Sequence, residues 1–135
     1  MTRAARVRAG DGFSPAQRAE LERTVDAADR LTGLRFYLHV GRLDGGRPGA
    51  EALLAARGEL APVTVLVAVD PVARDLHIVT GSVAGARLDD RTCALAALTM
   101  TSAFSAGDLV AGIRDGVTLL ANHGRNLAVR HLDTV

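Results

Sequence analysis

The chain has 135 residues and a mass of 14.1 kDa, the size of one domain. Hydrophobic residues make up 48% of it and charged residues 23%, which excludes a disordered or fibrous protein. All 16 basic residues are Arg. The sequence therefore lacks the lysine that a Walker A phosphate loop, a Schiff-base enzyme or a Ser-Lys dyad requires.

The formal net charge of +1 is distributed unevenly. Residues 1–10 carry three Arg and no acid, which predicts a basic, solvated N-terminal tail, and residues 124–135 form a predicted C-terminal tail. The domain between them, residues 11–123, is acidic overall. Because phosphate contacts need a basic face on the folded part of a protein, nucleic acid is not expected as a partner.

The cysteine count and the lengths of the apolar runs exclude further kinds of site and protein. Cys93 is the only cysteine, which excludes an intramolecular disulfide and a cysteine-cluster zinc site. The N-terminus lacks the apolar core of a secretory signal, and no apolar run approaches the ~18 residues of a membrane span. We therefore expect no membrane span and a cytoplasmic location.

The first sequence signal of a secondary-structure element is the helix start at residues 14–17. Ser14 can cap the helix, Pro15 suits its first position and Gln17 completes the reciprocal cap. This pattern predicts a helix over 15–31. Residues 35–41 alternate as a strand does, and a glycine-rich loop then leads into a predicted helix that begins at residue 49.

A continuous apolar run over residues 63–70 predicts a central strand that is covered on both faces. A short Asp-Pro turn connects it to a strand over 74–81, so the two should form an antiparallel hairpin. After a predicted loop over 81–90, two helices follow. The order α-β-α-β-β-α-α indicates an α/β fold, a three-layer α/β/α sandwich around a small mixed sheet.

Ligands of such sheets bind beyond the carboxyl ends of the parallel strands. Asp70 ends the central strand there, and Arg74 begins the next strand at the same edge. Arg74 is a candidate anion-binding residue, and Asp70 is a candidate residue of the cleft edge. The alternative is a structural turn in which Asp70 pairs with Arg74. His39 and His77 lie on strands, where they could face each other, although structural roles are expected for both.

With these elements placed, the chain resembles the TPM domain family, and its actinobacterial relatives of unknown function above all. The resemblance rests on residues 11–41, on VTVLVAVDPVARDLHIVTG at 63–81 and on residues 88–123. It implies an α/β/α sandwich, and functions that include acid phosphatase activity, binding of a divalent cation and maintenance of membrane protein complexes. The glycine-rich turn of the family carries a Glu, which GSVAGARLDD lacks here.

The resemblance also implies candidate residues. Arg74 matches a family arginine, and four acids match positions that would hold Ca²⁺ or Mg²⁺: Asp11, Asp89, Asp90 and Asp108. Asp89, Asp90 and Asp108 also precede or begin helices, so helix caps are the alternative interpretation.

Several functions follow from these observations. The favoured one is a binding or accessory module that engages a protein partner through the cleft edge or a helical face. The second is a metal-assisted phosphatase in which the four acids hold the ion and Arg74 stabilises the phosphoryl oxygens. The remaining alternatives are another kind of enzyme and a purely structural homo-oligomer.

Overall fold

The computed structural model describes residues 7–9 and 13–125, with the side chains of 13–125. Four strands form one sheet in the order β1-β2-β3-β4. Strands β1, β2 and β3 are parallel, and β4 is antiparallel to β3. The elements in chain order are β1 (Val7–Ala9), α1 (Pro15–Thr32), β2 (Arg35–Val40), α2 (Arg47–Ala55), a 3₁₀ turn (Gly58–Val63), β3 (Thr64–Asp70), β4 (Asp75–Thr80), α3 (Ser82–Arg87), α4 (Asp90–Ser105) and α5 (Leu109–His123).

The sheet is covered on both faces, which confirms the predicted α/β sandwich. On one face, side chains such as Phe36 and Val67 pack against α1, α4 and α5 in a core that also includes Leu21 and Ile113. On the other face, α2 covers a smaller cluster of Tyr37, Ala50, Leu66, Ala68 and Val79. Every residue of β3 is buried, as its unbroken apolar sequence predicts.

Helix α1 begins as predicted. The Ser14 N–H donates to Oε1 of Gln17 (2.9 Å), and the Gln17 N–H donates to the Ser14 hydroxyl (3.1 Å). Gly33 ends the helix in the left-handed conformation, with φ of 76°.

Two predictions about the segments between the main elements are wrong. The expected N-terminal tail includes a strand, since Val7–Ala9 pairs with residues 38–40 of β2. Three residues are too few to show a periodic pattern, so this edge strand left no signal. The segment expected to be a loop forms α3, a helix of only six residues. The Arg87 guanidinium at its end donates to the carbonyl of Thr32 (2.6 Å) and to that of Gly124, so it joins the C-terminal ends of α1 and α5.

Candidate functional site

The carboxyl edge of the sheet carries a groove, as the topology predicts. Strands β2 and β3 end there at Val40 and Asp70, and β4 starts there at Asp75. The groove has a volume of about 410 Å³, which is within the range of small-ligand sites. It lies between the loop after β2 and the first turns of α2. Its lining residues are His39, Arg42, Leu43, Asp44, Pro48, Gly49, Ala52 and Leu53.

Asp70 holds this loop in place. Its side chain is buried, and its two carboxylate oxygens accept hydrogen bonds from the backbone N–H groups of Ala73 and Leu43, each at 3.1 Å. These hydrogen bonds lower the pKa of Asp70, and the one from Ala73 has the largest effect. Asp70 therefore lies at the carboxyl edge of the sheet, where it holds the loop that forms one wall of the groove without lining the groove itself. Its assignment to a ligand-binding cleft edge stays a prediction.

The expected partnership of Asp70 with Arg74 does not form. Arg74 is exposed, and it makes no hydrogen bond or ion pair with the residues that the structure describes. It closes the β3–β4 turn with φ of 55°, a conformation that non-glycine residues seldom adopt, and β4 starts one residue later. The cation that lines the groove is Arg42, from the loop after β2.

Two histidines lie on the face of the sheet that α2 covers. The strand register places His39 and His77 on either side of Ala68, so the two are separated by an intervening strand. The Nε2 atom of His39 lies 3.0 Å from the carbonyl oxygen of Arg42. Because a carbonyl can only accept, this Nε2 carries the proton, and His39 becomes the second anchor of the loop. Nε2 of His77 lies 2.9 Å from Oδ1 of Asp75.

Glycines let the loop approach α2 closely. Gly45 and Gly46 have φ of 78° and 63°, which favour glycine. In the first turn of α2, Gly49 lies so near the carbonyl oxygen of Asp44 that a Cβ atom at Gly49 would overlap it. The wall of the groove therefore depends on backbone positions where side chains are excluded.

The predicted metal-binding acids are not brought together. Asp89 caps α4 by accepting from the Thr92 N–H (2.9 Å), and Asp108 caps α5 by accepting from the Ala111 N–H (3.1 Å). The Thr92 hydrogen bonds lower the pKa of Asp89.

Helix α4 separates the two caps, and its 16 residues span about 24 Å at 1.5 Å per residue. Asp90 is exposed in the first turn of α4, and Asp11 lies outside the described residues. Within residues 13–125, no group of three or more His, Cys, Asp or Glu side chains could hold a metal ion. The cap interpretation therefore holds for Asp89 and Asp108, and a single Ca²⁺ or Mg²⁺ site built from all three described acids does not form.

Apart from His39, sequence reasoning missed the residues that line the groove. Arg42 and Leu53 belong to a loop and a helix that the composition identifies, but no motif singles them out. The available signal was the glycine content of RLDGGRPG, which indicates a loop whose conformation depends on positive φ angles.

Solved structures with the same fold exist at low sequence identity. The NMR structure of the BA42 protein from the psychrophilic bacterium Bizionia argentinensis is similar with a TM-score of 0.72 and 15% identity, covering 84% of this chain and 83% of that one. The NMR structure of the N-terminal domain of the cg2496 protein from Corynebacterium glutamicum is similar with a TM-score of 0.69 and 15% identity, covering 83% and 74%. At this identity the likeness shows the fold alone. No curated protein matches the chain.

In the described part of the chain, no helix has the length and apolarity to cross a membrane. The family model that matches residues 2–121 is that of a domain of unknown function, DUF5130. The resemblance to the TPM domain family is therefore wrong, and the phosphatase and cation-binding properties that it implied lose their support. The match covers most of the sequence, so the chain belongs to the DUF5130 family.

Proposed function

We propose that this domain is a binding module, and that the groove between the β2–α2 loop and α2 takes a small amphiphilic anion such as a short-chain carboxylate. The observation that carries the proposal is the combination of a cation and an aliphatic wall in one concave site of about 410 Å³.

The apolar part of the groove continues the core beneath it. Leu43 and Leu53 are partly buried and pack against the cluster that α2 shares with the sheet. Pro48 and Ala52 extend this surface along α2. A short alkyl chain placed here would lose its contact with water, which favours binding.

The polar part is an accessible guanidinium. Arg42 pairs with Asp44 at 3.2 Å, but the two side chains are 90% and 88% exposed, and such exposed pairs are weak. A carboxylate can therefore replace Asp44 and accept two parallel hydrogen bonds from the fork of Arg42. The first turn of α2 borders the same groove, and its dipole also favours an anion.

Binding without catalysis fits the chemistry of the lining. The groove residues include no Ser, Thr, Tyr or Cys that could act as a hydroxyl or thiol nucleophile. His39 of the lining and Asp70 behind the loop are both engaged with the backbone of the loop. These contacts hold the groove in one shape before any ligand arrives, which lowers the entropic cost of binding.

A titration followed by ¹⁵N-HSQC spectra tests the proposal, with hexanoate as the probe and the neutral hexanamide as its matched control. We expect saturable shifts for amides between residues 39 and 53 with hexanoate and much weaker shifts with hexanamide. Arg42→Ala should weaken hexanoate binding by about two- to fivefold, because a contact with a largely exposed guanidinium contributes at most about 1 kcal/mol. Arg30→Ala, which removes an exposed arginine of α1, should leave binding unchanged.

Two results would overturn the proposal. One is the absence of saturable shifts in the groove. The other is equal binding of hexanoate by the protein and by its Arg42→Ala variant.

A further inference from the structure

The groove carries a negative charge as well as a positive one. Among the described residues that line it, Arg42 supplies the cation and Asp44 the anion, and the Nε atom of Arg42 lies 3.2 Å from Oδ1 of Asp44. A ligand whose only charged group is a carboxylate uses the cation and leaves the anion without a partner. This pair of opposite charges therefore decides which class of carboxylate the groove favours.

The backbone of the loop fixes the positions from which the two charged side chains project. The carbonyl of Arg42 accepts from Nε2 of His39, and the carbonyl of Asp44 lies against Gly49, where it leaves no room for a Cβ atom. Between them, Leu43 packs against the cluster beneath α2. The cation and the anion therefore stand side by side on a backbone that is held in place before a ligand binds.

A simple carboxylate that binds Arg42 creates two unfavourable interactions. It takes the cationic partner away from Asp44, and it brings a second negative charge next to that carboxylate. Asp70 adds another negative charge directly behind the loop, where it accepts from the Leu43 N–H. These surroundings disfavour a ligand with a net negative charge.

The remaining charges near the groove do not cancel this effect. Arg47 and Glu51 pair with each other along α2, with 3.3 Å between Nε and Oε2, and neither side chain lines the groove. Asp75 is paired with His77. The two Arg and two acids of residues 39–53 give this segment a formal charge of zero. A neutral ligand with separated charges therefore matches the site better than a net anion does.

We infer that the ligand of the groove is an aliphatic α-amino acid in its zwitterionic form, an inference that rests on the proposed function. Its carboxylate accepts from the guanidinium of Arg42, and its α-ammonium group donates to Asp44, which thus regains a cationic partner. Both side chains are almost fully exposed, so each has free hydrogen-bonding positions beside their mutual contact. The aliphatic side chain of the ligand lies along Pro48 and Leu53.

Titrations followed by ¹⁵N-HSQC spectra test the inference with L-norleucine, which is hexanoate with an ammonium group on the α-carbon. We expect L-norleucine to bind about two- to fivefold more tightly than hexanoate, the contribution of an exposed ion pair. Its isomer 6-aminohexanoate is the matched control, because the ammonium group is at the far end of the chain. It should bind more weakly than hexanoate, since that ammonium group would lie against the apolar side chain of Leu53.

Asp44→Asn should remove the preference for L-norleucine over hexanoate, because the amide has no charge to pair with the ammonium group. The Asp44 side chain is 88% exposed, so this variant should keep the fold, which its spectrum checks. Glu51→Gln is the matched control variant, since it also removes one negative charge from this segment but lies outside the lining. It should keep the full preference. Arg42→Ala should weaken the binding of both ligands.

The outcomes separate this inference from the proposed function. If hexanoate saturates the groove and L-norleucine binds no more tightly, the inference is overturned and the proposed function stands. A preference that survives in Asp44→Asn also overturns the inference, and so does 6-aminohexanoate that binds as tightly as L-norleucine, because net neutrality alone would then explain the gain. If neither hexanoate nor L-norleucine gives saturable shifts between residues 39 and 53, both are wrong.

Discussion

Replacement of Gly49 by Ala tests how the groove is built. In most helices this change stabilises the protein by up to about 1 kcal/mol, because Ala has the higher helix propensity. Here the added Cβ would overlap the carbonyl oxygen of Asp44. Both groups belong to the backbone, so neither can rotate away, and the loop must retreat from α2.

The magnitude follows from these two opposing effects. Overpacking of this kind costs about 1–3 kcal/mol, and the clash with a fixed carbonyl belongs at the upper end of that range. After the gain in helix propensity is subtracted, the free energy of unfolding should fall by about 1–2 kcal/mol. As the loop moves, the hydrogen bond from Leu43 to Asp70 should lengthen, and hexanoate should bind more weakly.

Urea denaturation followed by circular dichroism measures this change, with Gly85→Ala as the matched control. Gly85 is also a helical glycine, but its nearest neighbour is the rotatable Thr80 hydroxyl, 3.0 Å from the position of the new Cβ. Gly85→Ala should therefore be neutral or slightly stabilising. A Gly49→Ala variant that is as stable as the wild type would refute the argument that the loop and α2 are in fixed contact.

Three further predictions concern the contact between α1, α3 and α5, and the β3–β4 turn. Arg87→Met should lower the free energy of unfolding by about 2–4 kcal/mol, because two charge-assisted hydrogen bonds, to Thr32 and Gly124, are lost. If urea denaturation shows a loss below about 0.5 kcal/mol, this prediction is contradicted. Arg74→Gly should raise the thermal midpoint of unfolding slightly. The strain that Arg74 loses by leaving the left-handed conformation to Gly is about 1–2 kcal/mol, and the added entropy of the unfolded chain costs less, about 0.5–1 kcal/mol. A lower midpoint would show that this conformation carries no strain. The pKa of Asp70 is lowered in the folded state, so the carboxylate contributes stability above its ordinary pKa of 3.8, and this stability is lost as the pH falls through the lower folded pKa. The difference in unfolding free energy between wild type and Asp70→Asn, measured with urea from about pH 6 to about pH 2, should therefore shrink towards low pH. A constant difference would count against the hydrogen-bonded carboxylate.

The sheet and the long helices could be predicted because their signals are local. The continuous apolar run of β3 requires cover on both faces, and the Ser14 and Gln17 cap marks the start of α1. Elements that depend on distant contacts could not be predicted. Helix α3 is six residues long, and its Arg87 reaches the ends of α1 and α5, which are far away in sequence.

At the candidate site too, the features with local signals could be predicted and those that depend on distant contacts could not. The topological rule places Asp70 at the carboxyl edge, and it lies there. Its partners are backbone N–H groups of two loops, and their positions depend on how those loops fold. The hairpin pattern predicted Arg74 within the strand, but its positive φ makes it the last residue of the turn. Of the acids that the family resemblance grouped around one ion, Asp89 and Asp108 are helix caps, a role that their positions before helices indicate.

A crystal structure of the protein grown with hexanoate tests the central claim most directly. The account predicts the carboxylate beside the Arg42 guanidinium and the alkyl chain along Leu53, with the loop after β2 unmoved. Hexanoate bound at another place on the protein, or a groove closed by a different loop conformation, would contradict it.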